Sequence, residues 1–131
     1  MNSTSAVCCA SLLLACLLVG CGSSDSLLIG LAQTSVKGQL KDPESAKFGQ
    51  ITLLTPEQQS VKFKSIRVAC GSVNAKNSYG GYTGALRFTV FLGIRDGSSK
   101  HESIDVRIEP TPGDEIFKDA VWNYDCKDVT T

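Results

Sequence analysis

Apolar side chains recur along this chain at two spacings, and each spacing predicts a different kind of element. Between residues 27 and 40 they lie four apart, which is the repeat of an amphipathic helix. Asp25 or Ser26 is placed to cap the start of this helix. Residues 42–44, Asp-Pro-Glu, end the helix and open another turn, which residues 45–48 continue. The inward positions are Leu28, Ala32, Val36, Leu40 and, in the following turn, Phe48.

Strict alternation of apolar and polar residues predicts strands further along the chain. Residues 85–95 and 102–109 alternate cleanly, and Asp96-Gly97-Ser98-Ser99 between them predicts a turn, so the two runs form an antiparallel hairpin. Residues 51–54 are a short strand candidate, and residues 61–70 are a further one. The apolar positions change face near Ser65, which predicts a bulge or two separate strands.

A second helix is expected over residues 114–125, because Asp114 and Glu115 suit the positive end of a helix dipole. Trp122 falls off the inner stripe of this helix and is expected at the sheet edge. The fold class is therefore α+β, a small antiparallel sheet of three to four strands with N-terminal and C-terminal helices packed on it, in a single domain over 27–131. The expected inner stripe is Phe117, Ala120, Val121 and Tyr124.

The amino-terminal segment carries a targeting signal. Residues 6–21 are apolar but form a run too short to span a bilayer comfortably, and they end in Leu18-Val19-Gly20-Cys21. This ending resembles the lipobox of bacterial lipoproteins, which implies a signal peptide over 1–20, lipid on Cys21 and a short tether over 21–26. Residues 1–5 lack the usual Lys or Arg, so an ordinary signal peptide or an uncleaved anchor is the alternative. By the same resemblance, Gly22 favours the outer membrane, with the domain on its periplasmic or surface face.

Charge and size limit the classes of function. The chain has 13 basic and 13 acidic residues, and none of them lies in residues 1–20. A neutral domain argues against nucleic acid as a partner, because binding to phosphates favours a clear basic excess. The part after residue 20 has the size of one small domain.

The six cysteines divide by position. Cys8, Cys9 and Cys16 leave with the signal peptide, and Cys21 accepts the lipid. The remaining two, Cys70 and Cys126, are expected to form a disulfide in an oxidising periplasm.

A segment rich in Gly, Asn, Ser and Tyr, residues 69–84, is the other distinctive part of the chain. Together with residues 40–48, Leu-Lys-Asp-Pro-Glu-Ser-Ala-Lys-Phe, it resembles a group of small exported proteins and lipoproteins of proteobacteria and their mobile elements. The resemblance covers residues 36–91 and implies no particular reaction, ligand or catalytic residue.

Residue types in this segment favour two interpretations. Glycines permit close approach and tyrosines offer rigid contact area, so it is a candidate binding loop. Alternatively, Asn and Gly only build a tight connection and the tyrosines cover the sheet. The candidate contacts are Asn74, Lys76, Asn77, Tyr79 and Tyr82.

Three functions follow, in order of preference. The first is a non-enzymatic, lipid-anchored envelope protein that binds another envelope protein or an external ligand. The second is a surface-exclusion or masking lipoprotein of a mobile element. The third is a cysteine-dependent hydrolase, which needs Cys70 free, His101 as base and Asp105 or Asn74 to orient it. No cofactor is expected, and one His without a Cys-x-x-Cys pair predicts no metal site.

Overall fold

Two helical layers enclose an antiparallel sheet in the computed structural model, which describes residues 24–57 and 60–130. The predicted signal peptide and Cys21, the predicted lipid acceptor, lie outside these residues. Within them the sheet has five strands, and a 3₁₀ turn, Pro43–Ser45, precedes the first. The bounds are α1 Ser24–Lys37, β1 Lys47–Phe48, β2 Thr52–Leu54, β3 Phe63–Asn74, β4 Leu86–Arg95, β5 His101–Ile108, α2 Glu115–Phe117, a π turn Lys118–Trp122, and α3 Asn123–Asp125.

The long strand β3 organises the sheet. It pairs with β4 along one edge and with both β1 and β2 along the other, while β5 pairs with β4. The sheet thus has one strand more than the three to four expected, because β1 is a two-residue strand where the sequence predicted a continuing turn. Between Lys64 and Arg67 the register shifts, and Ser65 has a φ of 51°. The bulge predicted near Ser65 is therefore confirmed.

The sheet has two ends that matter for function. At the end we call the turn end, Phe63 of β3 pairs with Arg95, and the β4–β5 turn follows at residues 96–100. At the opposite end, the loop end, β3 finishes at Asn74 and leads into residues 75–85. Twelve residues of β3 separate the ends, which is about 36 Å of extended strand.

Helix α1 packs on one face of the sheet. Leu28, Ala32 and Val36 are buried, as the four-residue spacing predicted, and they join a core with residues of β3 and β4. The helix begins at Ser24, so Asp25 and Ser26 form its first turn rather than its cap or the tether. Leu40 lies beyond the end of the helix and packs on the same core, as does Phe48. The strand residues of this core are Ala69, Val73, Phe88, Val90 and Leu92.

The carboxyl-terminal helical segment, Glu115 to Asp125, packs on the other face. Phe117 and Trp122 are buried, whereas Tyr124 is 80% exposed and Ala120 is also exposed. The expected inner stripe was therefore wrong at Ala120 and Tyr124, and Trp122 lies inward instead of at the sheet edge. The π turn is the physical reason, because its wider i→i+5 hydrogen bonding places the next inward residue five positions after Phe117.

A disulfide joins this segment to the sheet. Cys70 of β3 and Cys126 are bonded, 56 residues apart in sequence, as the sequence predicted. Both are buried with Val68, Phe117 and Trp122 in a second apolar cluster. The polar face of the β4–β5 hairpin is consequently covered by protein around Thr89 and Glu109, which are 0% and 2% exposed.

Candidate binding surface at the loop end of the sheet

The Gly- and Tyr-rich loop is a small, tightly hydrogen-bonded hairpin. Lys76 and Tyr82 form a bridge, and the Asn77 N–H donates to the Gly81 carbonyl at 2.9 Å. The Asn77 side-chain oxygen accepts from the N–H groups of Tyr79 at 2.9 Å and Gly81 at 3.1 Å. The Asn77 side chain therefore stabilises the turn itself. This fits the interpretation that Asn77 builds a tight connection and does not contact a ligand.

Tyr82 ties the loop to the segment before β1. Its hydroxyl donates to the Ser45 carbonyl at 3.0 Å, and the Ser45 hydroxyl accepts from the Lys76 N–H at 2.8 Å. Asp42 holds Ser45 in turn, because its side chain accepts from the Ser45 N–H as the cap of the Pro43–Ser45 turn. The two sequence segments singled out by the resemblance, 40–48 and 69–84, thus meet at the loop end.

Two lysines flank the Tyr82 ring. The Nζ atoms of Lys47 and Lys76 lie 4.5 Å and 5.9 Å from its centroid. Such cation–π contacts at an exposed site contribute only about 0.5–1 kcal/mol each. In the ion pairs among the described residues neither lysine takes part. Both ammonium groups therefore remain free to bind an anion.

Tyr79 stands at the tip of the hairpin and covers nothing. It is 97% exposed, whereas Tyr82 is 40% exposed. The expectation that the tyrosines only cover the sheet therefore does not fit Tyr79. We refer to Lys47, Lys76, Tyr79 and Tyr82 together as the lysine–tyrosine surface.

The structure separates the five candidate residues. Lys76, Tyr79 and Tyr82 share one surface, whereas Asn77 lies inside the turn. Asn74 pairs with Lys47 across the β1–β3 ladder, and its buried side-chain oxygen has no hydrogen-bond partner among the described residues. Sequence reasoning missed Lys47, and the signal that could have found it is its place in the 40–48 segment.

An open cavity of about 340 Å³ lies nearby, beside a buried ion pair. The Glu109 side chain is 1% exposed and accepts hydrogen bonds from the Arg87 guanidinium and from the N–H groups of Arg87 at 2.8 Å and Asp114 at 2.9 Å. Burial alone would raise the pKa of Glu109, but the hydrogen bonds from Arg87 and Asp114 and the charge of Arg87 together outweigh burial, so the pKa is lowered. Because Glu109 is occupied by these bonds, it ties β4 to the chain after β5 and is not a site for a ligand.

The geometry does not support the cysteine-dependent hydrolase. The Cys70 sulfur is in the disulfide, and Nε2 of His101 lies 3.2 Å from the Ser65 carbonyl oxygen at the turn end. Cys70 pairs with Thr89 and His101 with Ile94, which places them about 17 Å apart along β4. The nucleophile and base that this function requires are not brought together.

Two further observations concern metals and membranes. Over residues 24–57 and 60–130, no three His, Cys, Asp or Glu side chains converge as metal ligands would. None of the helices within the same ranges has the length and apolar character needed to span a bilayer.

Comparison with known proteins gives no relative for this chain: no family model, curated protein or solved structure matches it. The chemistry of the lysine–tyrosine surface is therefore inferred from its own residues and contacts.

Proposed function

We propose that this chain is a non-enzymatic, lipid-anchored envelope protein that binds an anionic partner through the lysine–tyrosine surface. The observation that carries the proposal is the pair of lysines on either side of Tyr82, neither of which has an ion-pair partner within residues 24–57 and 60–130, with Tyr79 exposed beside them. Hydrogen bonds through Ser45 hold the Lys76 backbone and the Tyr82 side chain in place, so this part of the surface is ordered before binding.

The position of the surface fits this function. Asp25 in the first turn of α1 contacts Arg67 of β3, with 3.3 Å between Oδ1 and Nη1, whereas the segment after α1 leads to the loop end. The proposed lipid acceptor, Cys21, precedes Ser24 by three residues. A domain anchored there holds the lysine–tyrosine surface away from its own membrane, where it can reach a partner.

The chemistry of the surface selects a partner class. Ammonium groups bind carboxylates and phosphates, and hydrogen bonds to charged groups are stronger than neutral ones. Tyrosine is enriched in interfaces because one side chain supplies apolar area and a hydroxyl. We therefore propose an envelope component that presents carboxylate or phosphate groups.

A photo-crosslinking amino acid at position 79 tests this proposal in cells. We expect a discrete adduct with one envelope component, because Tyr79 lies at the tip of the surface. Ile116 is the matched control position, since it is 81% exposed and lies near the same end of the sheet but outside the surface. The readout is the mass of the adduct after denaturing electrophoresis.

A charge-reversed variant completes the test. Lys47→Glu combined with Lys76→Glu should abolish the adduct from position 79 and leave the thermal unfolding of the domain nearly unchanged. Equal adducts from positions 79 and 116, or an adduct from position 79 that survives the charge reversal in a folded protein, would contradict an anionic partner at this surface.

A further inference from the structure

We propose that the turn end of the sheet rests on the membrane and contacts the apolar region of the lipid bilayer. This inference rests on the lipid anchor proposed above and adds a second contact between protein and membrane. Three observations support the membrane contact. They are the short separation between Cys21 and α1, the length of the β4–β5 hairpin beyond Arg67, and the apolar side chains that are exposed at this end.

Covalent geometry limits the distance between the anchor and the domain. Cys21 and Ser24 are three residues apart, so their Cα atoms are separated by at most about 11 Å. The first turn of α1 must therefore lie close to the headgroups. Because Asp25 contacts Arg67, this part of β3 lies at the same level.

The β4–β5 hairpin extends further in the same direction. Arg67 pairs with Leu92, and β4 continues through Arg95 before the turn at residues 96–100. Three more strand residues add about 10 Å. The hairpin therefore extends about 10 Å beyond the level of Arg67, which is similar to the largest possible Cα separation of Cys21 and Ser24, and the loop before β3 lies beside it.

Apolar side chains are exposed at this end. Val61, just before β3, is 100% exposed, and Leu27 in the first turn of α1 is 73% exposed. Beside Val61 lies a shallow groove of about 330 Å³ on the face opposite α1. Its apolar lining residues are Phe63, Ile66, Phe91 and Ile104.

Gly93 lies against this groove and lets its walls approach closely. A Cβ atom at this position would lie 2.7 Å from Cδ1 of Ile104 and 3.3 Å from Cβ of Phe63. The apolar walls of the groove are therefore closely packed at this point, and Ser60, Asp105 and Arg107 complete its lining.

The charges at the turn end nearly cancel. Residues 55–57, 60–64 and 95–102 carry four basic and three acidic side chains. Lys64 pairs with Asp96 at 3.0 Å, and Arg95 pairs with Glu102 at 2.7 Å. The small net charge gives no preference for an anionic headgroup, and the exposed apolar side chains favour acyl chains and glycerol backbones as the occupant.

Quenching of tryptophan by brominated acyl chains tests this contact. The lipidated full chain is reconstituted in phosphatidylcholine vesicles with and without bromine, as wild type, Val61→Trp and Ser78→Trp. Val61 and Ser78 are both exposed and lie at opposite ends of the sheet, and the native Trp122 is buried, with 6% exposure. Flotation with the vesicles is measured first for each protein.

We expect the tryptophan fluorescence of Val61→Trp to be weaker in vesicles with brominated acyl chains than in vesicles without bromine. Wild type and Ser78→Trp should show no such decrease. High salt should leave this loss unchanged, because the contact is apolar. Flotation without any loss from Val61→Trp would overturn the contact and leave the anchor intact. Equal decreases in fluorescence for Val61→Trp and Ser78→Trp, or a decrease for Val61→Trp that high salt abolishes, would also overturn the apolar contact. Failure to float would overturn the anchor together with the contact.

Discussion

Replacing Glu109 with alanine should lower the free energy of unfolding by about 3–5 kcal/mol, the usual cost of removing one partner of a buried ion pair. The Glu109 side chain is 1% exposed and that of Arg87 is 16% exposed, so the Arg87 side chain loses its partner where most of its surface is out of contact with water. Two backbone N–H groups, of Arg87 and Asp114, lose their acceptor as well. Urea denaturation of wild type and variant measures the difference.

The matched control is Glu102→Ala. Glu102 and Arg95 form an ion pair at 2.7 Å in which the side chains are 41% and 64% exposed, and exposed pairs contribute only about 0–1 kcal/mol. We expect Glu109→Ala to lower the free energy of unfolding by clearly more than Glu102→Ala does. Equal decreases in the two variants would contradict the structural role of the Arg87–Glu109 pair.

The pH dependence of stability has a sign that follows from the lowered pKa of Glu109. Since the folded state holds the proton less tightly than the unfolded state, the stabilisation is present above the ordinary value of about 4.5 and is lost as pH falls below it. Asp125 has the opposite effect on the pH dependence of stability, because burial raises its pKa despite the nearby Arg107. The free energy of unfolding is measured against pH for wild type and for Glu109→Gln. The difference between the two proteins at each pH reports the contribution of the Glu109 charge, and this difference should become smaller as the pH falls.

Loss of the disulfide is expected to have an effect of similar size. In the chain-entropy description, a link between residues 56 apart stabilises the fold by about 4 kcal/mol. A domain of this length is stable by only about 5–15 kcal/mol. Cys70→Ala with Cys126→Ala should therefore unfold at much lower urea concentration than wild type.

Reduction of the wild-type protein provides the comparison for this double variant. Reduced wild type should lose most of the same stability, because the link and not the sulfur packing is the main contribution. A double variant within about 1 kcal/mol of wild type, below the usual range for a native disulfide, would contradict the account of how the carboxyl-terminal segment is held.

Local patterns in the sequence determined much of the fold. The alternation over β4 and β5 predicted the hairpin, and the change of face near Ser65 predicted a bulge or two separate strands, of which the structure has the bulge. The spacing of Leu28, Ala32 and Val36 specified the buried face of α1 in the same way.

Features that depend on tertiary contacts were missed. Strand β1 has two residues, too few for any alternation to be seen, and exists because β3 offers an open edge. The inward position of Trp122 depends on a π turn, which the spacing of apolar residues does not predict. The burial of Glu109 depends on the helical segment that covers the polar face of the hairpin.

The candidate site was predicted in part for the same reason. Lys76 and Tyr82 were identified because they lie in one unusual segment, and Tyr79 because its type suits an interface. Lys47 is 29 positions before Lys76, and the two segments are brought together by the β1–β3 pairing and by the hydrogen bonds through Ser45. The inward role of Asn77 is a property of the turn that residue type alone does not reveal.

The amino-terminal peptide of the mature protein, isolated from the membranes of a double-membrane bacterium, tests the central claim most directly. Its mass should correspond to a chain that begins at Cys21 and carries a diacylglyceryl group on the sulfur and an acyl group on the amine. A peptide that begins at Met1 or at another residue, or a Cys21 thiol that remains free for alkylation, would contradict a lipid-anchored binding protein.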